Sequence, residues 1–131
     1  MFLDTSGLFA LLSDKDPQQR RAQELFDANS GFLTANYVLA ELHALALVRR
    51  IPRRMVLGYS RKLLEQSDLE LTWVGKDLHT GALTLLESRA DKTYSLCDAV
   101  SFLVMRAQGE TEALTTDRHF EQEGFVRLLP A

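Results

Sequence analysis

The sequence predicts a three-layer α/β/α fold around a central, mainly parallel sheet of short strands. Short apolar segments alternate with longer helical patterns along all 131 residues, and this alternation is typical of parallel sheets covered by helices on both faces. No internal repeat, low-complexity tract or linker rich in proline and glycine interrupts the pattern. Because the length suits one ordinary domain, we expect residues 1–131 to form a single domain.

The first half of the chain is predicted to contain two strands and four helices. In chain order these are a strand at 1–3, helices at 6–12 and about 16–28, a strand at 32–34, and helices at about 37–50 and 52–66. Asp16 and Pro17 are expected to begin the second helix as N-cap and first helical residue. Gly31, at the end of a short polar run, is expected to mark where the chain leaves that helix.

The second half continues the alternation with shorter elements. In chain order these are a strand at 69–74, helices at about 77–89 and 95–108, a strand at 113–116, a short helix at 118–121 and a last strand at 125–129. Apolar and polar residues alternate over 69–74, as in a half-buried strand. Gly109 is expected to end the helix at 95–108. Trp73, Cys97 and Met105 are expected to pack in the core.

Charge and composition exclude several classes of protein. The net charge is −3, from 15 Lys and Arg against 18 Asp and Glu, whereas a module that coats duplex nucleic acid is usually basic. No stretch approaches the roughly 20 apolar residues that span a bilayer, and Asp4 argues against a secretory signal. The single cysteine, Cys97, rules out an internal disulfide. We therefore expect a cytoplasmic protein with no membrane association.

Acidic residues stand where the pattern predicts strand ends or apolar helix faces. They are Asp4, Glu41, Asp98 and Asp117. A carboxylate set into apolar surface is costly unless it is compensated, and one divalent cation would compensate several at once. In open α/β folds the ligand site lies beyond the carboxyl ends of the strands. A set of acids without cysteine or suitably spaced histidine favours a hard cation over Zn²⁺.

Each acid also has an ordinary structural interpretation. Asp4 and Asp117 suit the N-caps of the helices that follow them, and Asp98 forms a capping-box pattern with Ser95. Glu41 lies three or four residues from apolar neighbours on both sides, so it either faces a site or reaches water from the edge of that stripe. Capping explains each aspartate taken singly, so the metal hypothesis depends on the set of four.

The ordered set resembles the PIN-domain ribonucleases, and within them the VapC-type toxins of bacterial VapBC, or type II, toxin–antitoxin pairs. The matching stretches are 2–6, 40–42, 95–102 and 114–120. The resemblance implies a metal-dependent endoribonuclease that hydrolyses RNA phosphodiester bonds. It also implies that the protein forms a homodimer and binds a cognate antitoxin. It implies that Mg²⁺ or Mn²⁺ is held by Asp4, Glu41, Asp98 and Asp117. It also implies secondary polar contacts from Thr5, Ser6 and Thr115.

Other functions compete with this interpretation. A phosphatase with an aspartate nucleophile normally needs a second acid two residues after the first, where this chain has Ser6. A PIN-fold nuclease of RNA processing, outside any toxin–antitoxin pair, and a catalytically inactive binding module both remain compatible with the pattern. A small upstream reading frame encoding a DNA-binding antitoxin would favour the toxin.

Two surface features of the third and fourth helices suggest partners. Basic residues cluster around their junction and beyond, at Arg49, Arg50, Arg53, Arg54, Arg61 and Lys62. Cations suit a helix C-terminus, but they also suit a rim for RNA or an acidic partner. The apolar residues Leu42, Leu45, Leu57 and Leu64 exceed what one face of each helix can bury, which predicts an interaction surface. His119, in the last matching stretch, is expected to be a surface histidine.

Overall fold

The computed structural model describes residues 1–130 and contains one five-stranded sheet in the order β3-β2-β1-β4-β5. The strands are β1 (Phe2–Leu3), β2 (Phe32–Ala35), β3 (Leu69–Thr72), β4 (Glu112–Leu114) and β5 (Val126–Arg127). All neighbouring strands are parallel, and Phe2 of β1 is paired with Leu33 on one side and Ala113 on the other. The predicted parallel sheet of short strands is confirmed.

Seven helices connect these strands within residues 1–130. They are α1 (Thr5–Leu12), α2 (Gln19–Asp27), α3 (Asn36–Val48), α4 (Arg53–Glu65), α5 (Lys76–Ser88), α6 (Leu96–Gln108) and α7 (Arg118–Gln122). The chain crosses the sheet in one direction from β1 to β3 and in the other from β3 to β5. Because parallel crossovers are right-handed, α1–α4 cover one face and α5–α7 the other. The three-layer α/β/α prediction is confirmed.

The core lies where the central strands meet the helices on each face. Phe2, Leu3 and Leu114 are fully buried in β1 and β4. Behind them the rings of Phe102 and Phe120 meet edge to face, with centroids 5.1 Å apart. Among the described residues, no helix is both long and apolar enough to cross a membrane.

The first helix approaches the sheet so closely that only glycine fits at one position. A Cβ atom on Gly7 would lie 2.1 Å from the carbonyl oxygen of Leu114 in β4, well inside any normal contact. The missing side chain therefore brings the start of α1 against the end of β4. This contact places Ser6 beside the residues that follow that strand.

Two predictions about local structure are wrong. Helix α2 begins at Gln19 rather than at Pro17, because the carboxylate of Asp16 accepts the amide of Gln18 at 2.8 Å and forms a turn before the helix. Trp73 lies outside the core with 68% of its surface exposed. Strand β3 ends at Thr72, before Trp73, and the side chain of Asn36 accepts the amide of Val74 at 2.8 Å.

The predicted burial of other apolar residues is partly wrong. Met105 is fully buried as expected, whereas Cys97 is only half-buried. Leu42 is fully buried and Leu45 half-buried, because both lie on the side of α3 that packs on the core. Leu57 and Leu64 are exposed as predicted, and Leu47 and Val48 at the end of α3 are more exposed still.

Candidate active site

The strand order places a switch point between β1 and β4 at their carboxyl ends, where we expect a crevice. The connection after β1 leads to β2 on one side, and the connection after β4 leads to β5 on the other. Such a switch point is where ligands bind in open α/β sheets, because the diverging connections leave the strand ends uncovered. Asp4 directly follows β1, and Thr115 directly follows β4.

Asp4 is a buried carboxylate that does not cap its helix. It is 5% exposed, and its side chain makes no capping hydrogen bond to α1. Instead, the Thr115 hydroxyl donates to its Oδ2 at 2.7 Å, and the Ser6 hydroxyl lies 3.3 Å from the same oxygen. Asp4 therefore does occupy the N-cap position of α1, but its side chain is hydrogen-bonded to Thr115 and Ser6 instead of capping the helix.

The environment of Asp4 makes its negative charge unfavourable. Burial, followed by the nearby charges of Asp98 and Glu41, raises the pKa of Asp4 to about 7. The hydrogen bonds from the Thr115 hydroxyl and the Thr5 backbone oppose that rise but do not cancel it. A compensating positive charge would therefore be favourable at this position.

Small hydroxyl side chains tie the two strand ends together around Asp4. Ser6 Oγ accepts the amide of Thr116 at 3.0 Å and lies 3.2 Å from Thr115 Oγ1. Thr115 Oγ1 also accepts the amide of Asp117 at 3.0 Å. The Thr5 hydroxyl is buried and has no hydrogen-bond partner within the described residues. Of the three predicted polar contacts, Ser6 and Thr115 reach Asp4 through their side chains, whereas Thr5 does so through its backbone.

Glu41 approaches the crevice from α3. Its residue surface is exposed, yet its charge contributes to the raised pKa of Asp4. The pKa of the neighbouring Cys97 thiol is raised by burial first, and then by the charges of Glu41, Asp4 and Asp98. Both sequence interpretations of Glu41 therefore apply: its residue is exposed to solvent on α3, and its carboxylate is close enough to Asp4 to affect the pKa of that acid. Cys97 lies against the acidic group rather than deep in the core.

Asp98 is at the same time a helix cap and a member of the acidic group. Ser95 Oγ accepts the amide of Asp98, and Asp98 Oδ2 accepts the amide of Ser95, each at 3.0 Å. This is the predicted capping box. The same Oδ2 lies 2.8 Å from Nδ1 of His119, a contact that the sequence pattern does not indicate.

Asp117 and His119 complete the group from the β4 side. Asp117 Oδ1 accepts the amide of His119 at 2.9 Å, which confirms Asp117 as the N-cap of α7. Ligand atoms of Asp98, Asp117 and His119 all lie within 4.8 Å of one another. The expectation of a surface histidine is wrong, because α7 turns the half-buried His119 ring toward Asp98. A histidine two residues after a predicted site acid was the available signal.

The structure therefore brings all four predicted acids to one region in two overlapping groups. Asp4 interacts electrostatically with Glu41 and Asp98, and Asp98 shares His119 with Asp117. Carboxylate oxygens predominate, which suits a hard divalent cation. Their assignment as metal ligands stays a prediction.

Comparison with known proteins finds a family and a relative that match nearly the whole chain. The model of the PIN domain matches residues 1–125. The chain is 32% identical over 131 residues to the 23S rRNA-specific endonuclease VapC20 of Mycobacterium tuberculosis, covering 99% of this chain and 98% of the relative. The crystal structure of that VapC20, described as a sarcin-ricin loop cleaving toxin, matches with a TM-score of 0.89, 31% identity and 98% coverage of both chains.

More distant structures share the fold. VapBC2 from Rickettsia felis, crystallised with a DNA fragment from its promoter, matches with a TM-score of 0.64 and 16% identity over 96% of this chain and 94% of the other. FitAcB from Neisseria gonorrhoeae matches with a TM-score of 0.64 and 14% identity over the same shares of each chain.

Proposed function

Because the chain belongs to the PIN-domain family, and within it to the VapC-type toxin ribonucleases, we propose that its acidic crevice hydrolyses RNA phosphodiester bonds with Mg²⁺ or Mn²⁺. The proposed metal-binding acids are Asp4, Glu41, Asp98 and Asp117. One observation carries the proposal. Asp4 is buried at the switch point of the sheet, and its pKa is raised to about 7 by burial and by two neighbouring acids.

The donor set fits a hard cation. A buried carboxylate that resists ionisation gains stability when a divalent cation replaces its proton. Mg²⁺ uses few carboxylates and keeps several waters, which agrees with a crevice in which Asp4 is buried and Glu41 is open to solvent. When bound, the cation would lower the pKa of a water molecule and stabilise the leaving oxyanion.

The chain's own residues hold the acids in place before any cation binds. Thr115 and Ser6 hold Asp4 at the end of β1, and the Ser95 amide holds Asp98 at the start of α6. Such preformed geometry reduces the reorganisation that the reaction would otherwise need. The exposed side of Glu41 leaves room for the RNA backbone to enter.

The central test is RNA cleavage by the wild type and by Asp4→Asn, each with and without Mg²⁺. Cleavage by the wild type only with Mg²⁺, and none by the variant, supports the proposal. Equal cleavage by both proteins would contradict it. Wild type that binds Mn²⁺ but cuts no RNA would instead support the catalytically inactive binding module.

We further propose that the substrate is ribosomal RNA and that the protein acts on it in the cytoplasm. The support is the relative from M. tuberculosis, which is named for 23S rRNA and resembles this chain over nearly the full length of both. Incubating ribosomes with the protein and mapping new 5′ ends by primer extension tests the assignment. Cleavage confined to the sarcin-ricin loop would support it, and cleavage of other RNAs alone would contradict it.

A cognate antitoxin is the proposed protein partner, and its proposed site is the groove between α3 and α4. Apolar residues of both helices and their junction line this groove, including Leu47, Ile51 and Val56. The predicted basic residues at the junction, Arg49, Arg50, Arg53 and Arg54, are all exposed. An antitoxin segment with apolar and acidic side chains would match both features.

The remaining proposal is a homodimer in solution. Leu57 and Leu64 of α4 support it, because both are exposed and neither lines the groove proposed for the antitoxin, and exposed apolar surface of this kind marks an interaction site. Light scattering that gives a monomer at micromolar concentration would contradict the dimer.

Expression that is toxic alone and harmless with the upstream gene supports the toxin role. RNA cleavage without toxicity or complex formation would point to RNA processing.

A further inference from the structure

His119 lies behind two of the proposed metal ligands. Its Nδ1 is 2.8 Å from Asp98 Oδ2 and 3.4 Å from Asp117 Oδ1. On its far side, Nε2 lies 3.1 Å from the hydroxyl of Thr93. The ring also packs against Tyr94, with centroids 5.2 Å apart at an angle of 64°. The imidazole is therefore held in one orientation by contacts on three sides.

The hydrogen-bond partners assign the tautomer of the ring. A carboxylate only accepts hydrogen bonds, so Asp98 Oδ2, which also accepts the amide of Ser95, accepts from His119 and Nδ1 carries the hydrogen. In the neutral ring Nε2 then accepts from the Thr93 hydroxyl. The N–H bond thus points at a carboxylate, and both ring nitrogens are used by protein atoms.

We propose that His119 is a positioning residue that orients Asp98 for the cation, an inference that rests on the proposed function. Its Nδ1–H and the Ser95 amide both engage Oδ2, so neither donor occupies Oδ1, which stays available to a cation. The same N–H dipole lies between the carboxylates of Asp98 and Asp117 and reduces their repulsion. Partners of this kind fix the geometry of metal ligands, and their loss typically lowers metal affinity about 10- to 100-fold.

The test is calorimetric titration of Mn²⁺ into the metal-free protein. His119→Ala removes the donor, and we expect Mn²⁺ to bind about 10- to 100-fold more weakly. His119→Asn places an amide N–H near the position of Nδ1, and we expect its affinity to lie within about three-fold of wild type. Gln122→Ala is the matched control, because it truncates an exposed polar residue on the same helix.

Kinetics separate positioning from a merely structural role. In RNA cleavage by His119→Ala, we expect the Mn²⁺ concentration needed for half-maximal rate to rise while the rate at saturating Mn²⁺ recovers most of its value. Thermal melts in EDTA should show that the alanine and asparagine variants lose similar stability. If only the asparagine variant keeps its Mn²⁺ affinity, the difference then cannot be due to a more stable α7, because both variants lose the same stability.

Two results would overturn the inference. One is His119→Ala binding Mn²⁺ as tightly as wild type. The other is His119→Asn binding as weakly as His119→Ala, since the Nδ1 donor would then be irrelevant. Wild-type binding that Asp4→Asn abolishes keeps the proposed function intact in either case. If the wild type itself does not bind Mn²⁺, both the metal-dependent function and the role of His119 fail.

Discussion

The Thr115 hydroxyl donates a 2.7 Å hydrogen bond to the carboxylate of Asp4, although the two residues are 111 positions apart in the chain. The hydroxyl oxygen of Thr115 also accepts the amide of Asp117 at 3.0 Å. One side chain therefore joins the ends of β1 and β4 and orients an acid on each. The hydrogen bond from the Thr115 hydroxyl to Asp4 also opposes the rise in the pKa of Asp4.

Replacing Thr115 should weaken metal binding without removing any acid. In Thr115→Val the shape is kept, but Asp4 loses the shorter of its two hydroxyl hydrogen bonds and the Asp117 amide loses its acceptor. We expect roughly 10- to 100-fold weaker Mn²⁺ binding by calorimetry. Thr115→Ser, which keeps the hydroxyl, is the control and should bind nearly as wild type. Equal affinity in the valine variant would contradict this role.

Without metal, the protein should lose stability as pH rises from about 4 to about 7. The pKa of Asp4 is about 7 in the folded state against 3.8 ordinarily, so the folded state holds a proton that the unfolded state has released. Protonation therefore favours folding below this window, and the benefit is lost as pH rises through it. The pKa difference corresponds to a loss on the order of 4 kcal/mol.

Chemical denaturation in EDTA at pH 5 and pH 8 measures this effect, with Asp4→Asn as the control that should flatten the pH dependence. Mn²⁺ should raise the melting temperature more at pH 8 than at pH 5, because the cation competes with the proton and binds only the folded state. A metal-free stability that rises steadily over this range would argue against the raised pKa of Asp4.

Glu41→Gln should separate stability from activity. The substitution removes one of the two charges that help raise the pKa of Asp4, so the metal-free protein should be as stable as wild type or slightly more stable. RNA cleavage should be lost, because a proposed metal ligand is gone. Urea denaturation in EDTA and a cleavage assay measure the two effects. A marked loss of metal-free stability would mean that Glu41 has a structural role instead.

Gly7→Ala should disrupt both the fold and the site. A Cβ atom would meet the Leu114 carbonyl at 2.1 Å, so α1 must move away from β4 and take Ser6 with it. We expect a loss of about 1–3 kcal/mol, as for overpacking, together with weaker Mn²⁺ binding. Gly58→Ala is the matched control, because nothing lies within 4 Å of its Cβ position in α4. There the substitution should stabilise the protein by about 0.5–1 kcal/mol.

A charge in the groove between α3 and α4 should separate antitoxin binding from catalysis. Leu47 is 68% exposed and lines that groove, so Leu47→Asp should fold normally and still cleave RNA. We expect its complex with the antitoxin to weaken at least about ten-fold, because a charge would be buried against apolar side chains. Co-purification and titration with the antitoxin measure this. Unchanged affinity would place the antitoxin elsewhere.

Much of this architecture was predictable because its causes are local. Alternating apolar segments and helical periodicity predict the order of the elements. Strand ends followed by Asp4 and Asp117 predict which edge of the sheet carries the site. The capping box of Ser95 and Asp98 was also readable, since its residues are three positions apart.

Contacts between distant elements could not be predicted in this way. The sequence determined the types and order of the elements and the acids at their ends. The tertiary structure alone decided that Thr115 meets Asp4 and that His119 turns toward Asp98. It also decided that Leu42 is buried while Trp73 is exposed. The physical reason is that strand order and the rotation of each helix follow from packing of the whole chain, whereas hydrophobic periodicity reports only each segment's own faces.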